Sequence, residues 1–174
     1  MTFLTIDELL NHEINSKSIM ILGAPGSGKT YLSQILSSKL GIDLISTDDY
    51  IKYGFRESMY VALADAIKKE SVIVEGVQGY RMLRKGLEND TYYPELIIEL
   101  VSSEEHLMQI YKNERDFSKF KRSQSLALSN SKILKTYLSQ VNCLVIRVKN
   151  DFLNIQKVNK RTQAERFGIE EISV

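Results

Sequence analysis

The sequence predicts an α/β protein built on a doubly wound, five-stranded parallel sheet with a helical lid. Three observations carry this. Short apolar runs alternate along the chain with segments of helical spacing, the pattern of strand–helix–strand units. The first apolar run leads straight into a glycine-rich turn, where a strand hands over to a helix. The 174 residues suffice for one compact domain and offer no Pro/Ser linker, repeat or low-complexity stretch at which to divide it.

The elements follow in order. Thr5 and Glu8 make a capping box for a short helix over residues 6–13. Residues 18–22 (Ser-Ile-Met-Ile-Leu) read as a strand buried on both faces. Apolar residues at 32, 35, 36 and 40 mark a helix over 31–40, which Gly41 stops. A second strand is expected over 42–45, a helix over 59–69, and a third strand over Val72-Ile73-Val74. Pro94 sets up a fourth strand over 96–101, after which Ser102 or Ser103 caps a helix reaching about residue 115. Further helix covers 126–138, and a fifth strand covers 144–148. The tail from residue 157 is polar, with a weak apolar patch at Phe167, Ile169 and Ile172.

Composition narrows the classes of function. The formal net charge is +1, so attraction to nucleic acid has to come from local patches rather than from the whole surface. Cys143 is the single cysteine, which rules out a disulfide framework and suits a reducing compartment. His12 and His106 are far apart and have no partners at ligand spacing. No apolar stretch approaches the roughly 20 residues of a membrane span, and the N-terminus has no basic n-region. The expected location is the cytoplasm, with no membrane partner.

Gly23-Ala24-Pro25-Gly26-Ser27-Gly28-Lys29-Thr30 fits G-x-x-x-x-G-K-[ST] in full, between a predicted strand and a predicted helix. Glycines let successive N–H groups curl inward as an anion nest, and the following helix aims its positive end at the same point. Lys29 brings a mobile charge for the β- and γ-phosphates, and Thr30 offers a hydroxyl to Mg²⁺. A nucleoside triphosphate is therefore the expected ligand. The Asn159-Lys160-Arg161-Thr162 stretch lacks the Asp of a guanine-reading element, so ATP is the expected donor.

Further residues point to transfer rather than to binding alone. Asp48 and Asp49 follow the second strand, at the carboxyl rim where an open α/β sheet binds its ligands. A carboxylate there can take the proton of an attacking hydroxyl; Thr47 and Asp48 could equally cap the next turn. Glu75 ends Val72-Ile73-Val74-Glu75, the form of a Walker-B element whose carboxylate holds Mg²⁺. Lys112, Arg115, Lys119, Lys121 and Arg122 crowd a candidate lid over about 104–125, with Arg115 and Arg122 the candidates for stabilising a transferring phosphoryl group. Phe117 and Phe120 between them are open to stacking a base or packing the lid. Beyond Glu75, Gln78 and Arg81, with Arg84 after them, are candidates for holding the acceptor.

With these residues in view, the chain resembles the small P-loop kinases. The residue 23–30 motif together with Thr47-Asp48-Asp49-Tyr50 is most similar to the bacteriophage polynucleotide 5′-hydroxyl kinases, which implies a general-base role for Asp48. Ile51 stands where those kinases carry an Arg. Ile73-Val74-Glu75-Gly76 and Asn113-Glu114-Arg115-Asp116 look instead like elements of uridine kinases. The resemblance spans about residues 18–150 and implies ATP and Mg²⁺ as cofactors. It also implies a hydroxyl acceptor on a nucleoside, nucleotide or nucleic acid, including a modified base in DNA. A small-metabolite or nucleotide-sugar kinase and a non-catalytic nucleotide switch are the alternatives.

Overall fold

The computed structural model describes residues 3–150; the polar tail from residue 157 and its apolar patch lie outside the described residues. Five strands form one parallel sheet: β1 (Ser18–Gly23), β2 (Asp43–Ser46), β3 (Val72–Glu75), β4 (Leu96–Val101) and β5 (Leu144–Lys149), in the spatial order β2-β3-β1-β4-β5. Helices α1 (Ile6–Asn11), α2 (Lys29–Leu40), α3 (Glu57–Ile67), α4 (Gly79–Glu88), α5 (Glu104–Glu114) and α6 (Phe120–Gln140) connect and cover them.

Strand alternation sorts the helices onto two faces. Ile19 and Ile21 of β1 join Leu32 and Leu36 of α2 and Leu9 of α1 in one core cluster. Met20 and Leu22 point the other way, into a cluster with Met59 and Leu63 of α3, Met82 and Leu83 of α4, and Leu134 and Tyr137 of α6. The chain thus leaves β1 across one face and leaves its neighbour β3 across the other. That divergence opens a crevice at their carboxyl ends, the usual ligand position in such sheets. Leu4 adds a parallel bridge to Val148 outside β5, and the Thr5–Glu8 capping box forms as expected, with Thr5 N–H donating to the Glu8 carboxylate at 2.7 Å.

Most bounds of the expected elements agree with the sequence to within a residue or two. Two differences stand out: α4 occupies Gly79–Glu88, where the sequence reading sets no element, and α6 begins at Phe120 rather than near 126. Phe120 is buried, meets Tyr111 edge-on at 5.6 Å between centroids, and stacks on Phe117 at 5.8 Å. This aromatic cluster anchors an early start and outweighs the unfavourable placement of Lys121 and Arg122 in a first helical turn. Phe120 is therefore a packing residue, with the exposed Phe117 stacked on it. A 3-10 helix over Thr47–Tyr53, absent from the sequence reading, follows β2.

Leu36 is fully buried between α2 and the sheet, so Leu36→Ala should cost about 2–5 kcal/mol of unfolding free energy in urea denaturation. Leu128→Ala, on the exposed face of α6, should stay within about 0.5 kcal/mol.

Candidate phosphoryl-transfer site

The residue 23–30 loop spans the end of β1 and the start of α2. Gly26 and Gly28 hold φ of +84° and +95°, conformations closed to most L-residues, and the Ser27 N–H closes the turn on the Ala24 carbonyl at 3.1 Å. Gly28 caps α2, so the free N–H groups of the helix's first turn face the loop. Lys29 is buried, and its ammonium donates to the carbonyls of Gly23 (3.0 Å) and Ala24 (2.8 Å), which holds the charge across the loop's mouth. Asn150 secures the loop from behind: fully buried beyond β5, it donates from Nδ2 to the Ser27 carbonyl at 2.8 Å. Sequence reading missed Asn150, although its place just past the last strand, at the same rim, was a usable signal.

Glu75 pairs in register with Ile21 of β1 on one side and Ser46 of β2 on the other. It is buried, its Oε1 has no hydrogen-bond partner, and the Ser46 hydroxyl bonds the carboxylate. Burial raises its pKa above the ordinary carboxylate value. The Ser46 bond and the Lys29 charge pull the other way, while Asp48 and Asp49 add to the rise. Lys29, Glu75, Asp48 and Asp49 thus share one electrostatic neighbourhood.

The loop after β3 is locked to the turn after β2. Gly76 holds φ +125°, and a Cβ there would fall well inside contact with the Thr47 hydroxyl. That closeness lets Thr47 Oγ1 accept from Gln78 N–H at 3.3 Å. Asp48 Oδ1 lies 3.5 Å from the Val77 N–H. Both side chains therefore reach across to a neighbouring loop, and Thr47 does not cap its own turn. Asp49 lines a separate cavity of about 300 Å³ at the outer edge of β2, shared with Tyr50, Lys52 and Asp65. Gln78 is buried, bonding the Phe55 carbonyl (3.1 Å) and Arg81 (3.3 Å), and the Arg81 guanidinium lies 5.8 Å from the Phe55 ring centre. Phe55, exposed at this edge, was not singled out from the sequence.

Of Arg115 and Arg122, Arg115 is the one brought to the residue 23–30 loop. A Cβ built on Gly26 would lie 3.7 Å from Arg115 Nε and 3.0 Å from Ile110 of α5, so the end of α5 overhangs the phosphate loop. Arg122 is exposed in the first turn of α6, one residue from Ser123, which lines a cleft with Ala24 and Pro25. The Thr30 hydroxyl and the Glu75 carboxylate are hard oxygen donors at one rim, and the unpartnered Glu75 Oε1 fits a Mg²⁺ ligand. Among the described residues no group of three or more His, Cys, Asp or Glu could hold a metal alone. Mg²⁺ that keeps its waters and binds substrate phosphates does not require one.

No protein-family model matches the sequence, and no curated protein matches it. Solved structures do. The chain is similar to a shikimate kinase from Bacteroides thetaiotaomicron, with a TM-score of 0.53 and 17% identity over 79% of this chain and 89% of that one. A shikimate kinase from Acinetobacter baumannii in complex with shikimate gives 0.50 and 12%, over 89% and 90%. A gluconokinase from Sinorhizobium meliloti 1021 gives 0.50 and 16%, over 79% and 85%. At these identities the likeness is one of fold: a five-stranded parallel sheet with flanking helices, shared with small P-loop kinases. None of the three is a polynucleotide kinase. No helix among the described residues is long and apolar enough to cross a membrane.

Two outcomes follow. Folded Glu75 keeps its proton above pH 4.5, where the unfolded chain has lost it, so the folded state binds more protons in that window. Stability measured by urea denaturation without nucleotide should therefore fall as pH rises from 4.5 through the raised folded pKa, and Glu75→Gln should flatten that slope. Gly76→Ala should destabilise the protein by about 2–3 kcal/mol in the same assay, because the new methyl meets Thr47 at a backbone angle closed to alanine.

Proposed function

We propose that this chain is an ATP-dependent kinase that transfers the γ-phosphate to a hydroxyl of a small acceptor of the nucleoside, nucleotide or polyol kind. The supporting observation is that Asp48, Lys29 and Glu75 share one electrostatic neighbourhood at the crevice between β1 and β3. A bare phosphate-binding loop needs no carboxylate there.

The chemistry runs through the chain's own groups. The residue 23–30 N–H groups and Lys29 bind the β- and γ-phosphates and leave the terminal phosphorus facing the crevice. Asp48 accepts a hydrogen bond from the acceptor hydroxyl and aligns its lone pair with that phosphorus. The new O–P bond forms as the bond to the β-phosphate oxygen breaks; ADP departs and the hydroxyl proton passes to Asp48. Arg115, which lies beside Gly26, would meet the charge that develops on the equatorial oxygens. Arg122 takes the same role only with the start of α6 drawn inward. Thr30 and Glu75 are the residues that would hold Mg²⁺, which would supply positive charge to offset that of the phosphates.

A small acceptor is favoured over a polynucleotide by how the cations are distributed. Lys119 pairs with Asp116 at 3.8 Å, Arg84 with Glu88 at 3.7 Å, and Lys85 with Glu88 at 2.5 Å. Neighbouring acids thus break up a positive track along α4 and the lid. Arg81 and Gln78 brace the Phe55 edge, where an acceptor's ring would enter.

The test is transfer of labelled γ-phosphate to a panel of nucleosides, nucleotides, polyols, oligonucleotides and DNA carrying hydroxymethylated bases. Asp48→Asn should keep Mg·ATP binding and lose about 10²–10⁴-fold in turnover. Equal turnover in the variant would leave a nucleotide switch or another base as the reading. Steeply salt-dependent labelling of oligonucleotide would restore the nucleic-acid acceptor.

A further inference from the structure

Phe55 stands 59% exposed where the 3-10 turn after β2 runs toward α3, yet its backbone is pinned. Its carbonyl accepts from the Ser58 hydroxyl at 3.0 Å and from Gln78 Nε2 at 3.1 Å. Gln78 is buried, and the other end of its amide, Oε1, accepts from the Arg81 guanidinium at 3.3 Å. Thr47 Oγ1 takes up the Gln78 N–H, and the preceding Val77 N–H lies 3.5 Å from Asp48 Oδ1. The short stretch Val77–Gln78 thus ties an exposed ring, a guanidinium and the Asp48 carboxylate into a single frame.

Arg81 is set in this frame without a counter-ion. Arg147 is held by Glu99 at 2.8 Å across the β4–β5 register, on a carboxylate that also takes the Tyr80 hydroxyl. Among the described residues no carboxylate pairs with Arg81 in that way. It stands in the first turn of α4, where the helix dipole repels a cation and no acidic side chain offsets it. Its planar fork matches two oxygens of a carboxylate or phosphate, and the Gln78 amide and the Phe55 ring hold that fork in place. A cation kept in an unfavourable turn by a neutral amide and an aromatic face suits an anion that the chain does not itself supply. We infer that Arg81 selects a ring-shaped acceptor carrying a carboxylate or phosphate beside its hydroxyl, with the ring on Phe55 and the hydroxyl at Asp48. The two protein charges also set its direction, because Arg81 draws the anionic end and Asp48 repels it. That class comprises nucleotides and ring hydroxy acids, and it disfavours nucleosides and neutral polyols. The inference rests on the kinase reading above and narrows it.

Matched pairs test it with the full chain and labelled Mg·ATP: a nucleoside against its 5′-monophosphate, and a neutral cyclic polyol against a ring hydroxy acid of similar size. The anionic member of at least one pair should be favoured by about 10–100-fold in kcat/KM, and the pair that shows it tells phosphate from carboxylate. Equal labelling within both pairs, or faster labelling of the neutral members, would overturn the selection while leaving the kinase reading intact. Arg81→Met should cut the preference to within about threefold, through KM for the anion rather than through kcat, and Arg81→Lys should recover part of it. A preference that survives in folded Arg81→Met, or an equal loss for both members of a pair, would overturn the assignment of Arg81. Calorimetric titration of the same pairs with a non-hydrolysable ATP analogue gives a readout independent of turnover. There the anion should bind the natural chain and lose about 10–100-fold in affinity for Arg81→Met; equal binding to both would sink the proposal. Anion binding that depends on Arg81 while no acceptor is ever labelled would uphold the site and count against the kinase reading alone.

Discussion

Strand β1 is hydrogen-bonded on both edges, to β3 and β4, and its residues Ile19, Met20, Ile21 and Leu22 are fully buried on both faces. Each side chain must find cover on its own side, so helices have to pack above and below the sheet. A parallel sheet also makes every strand end on the same rim. From that one constraint come the two core clusters, the opposed exits from β1 and β3, and the meeting of Lys29, Glu75 and Asp48 in the space between those exits. The site is where the backbone of a fully enclosed strand finally escapes its neighbours.

The charges at this rim balance one another. A carboxylate as deeply buried as Glu75 is costly to ionise, and Asp48 and Asp49 make it more so, yet Lys29 is buried a short way off with two carbonyls holding it. Such a set favours a ligand that supplies further negative charge near Lys29 and further positive charge near Glu75. The metal-bound triphosphate proposed above would do both at once, as a bare anion would not.

Much of this was legible in the residues. Strands β1, β3 and β4 were readable because full burial leaves uninterrupted apolar runs, and the phosphate loop because its geometry demands glycine at fixed places. The Thr5–Glu8 box and the stop at Gly41 were readable because they are local. What escaped depends on contacts distant in sequence. The early start of α6 rests on Phe120 meeting Tyr111 of another helix, and the polar first turn gave no apolar period to find. The different surroundings of Asp48 and Asp49 depend on the 3-10 turn that follows β2, which two adjacent identical residues cannot reveal. Glu99 reads as one polar residue in an apolar strand; only the register that sets it opposite Arg147 and the helix that brings Tyr80 against it give it a setting.

The bond from Asn150 to the Ser27 carbonyl joins the cradle to a residue 123 positions later. Loops closed over such separations are slow to form and come late in assembly. The motif is complete in the first thirty residues, but its backing arrives only when β5 has docked against β4 and carried Asn150 to the rim. On a chain emerging from the ribosome, then, the loop is backed only after Asn150 has followed it out, 123 residues later. A half-made protein would carry the glycines and the lysine without the shape that makes them a receptor.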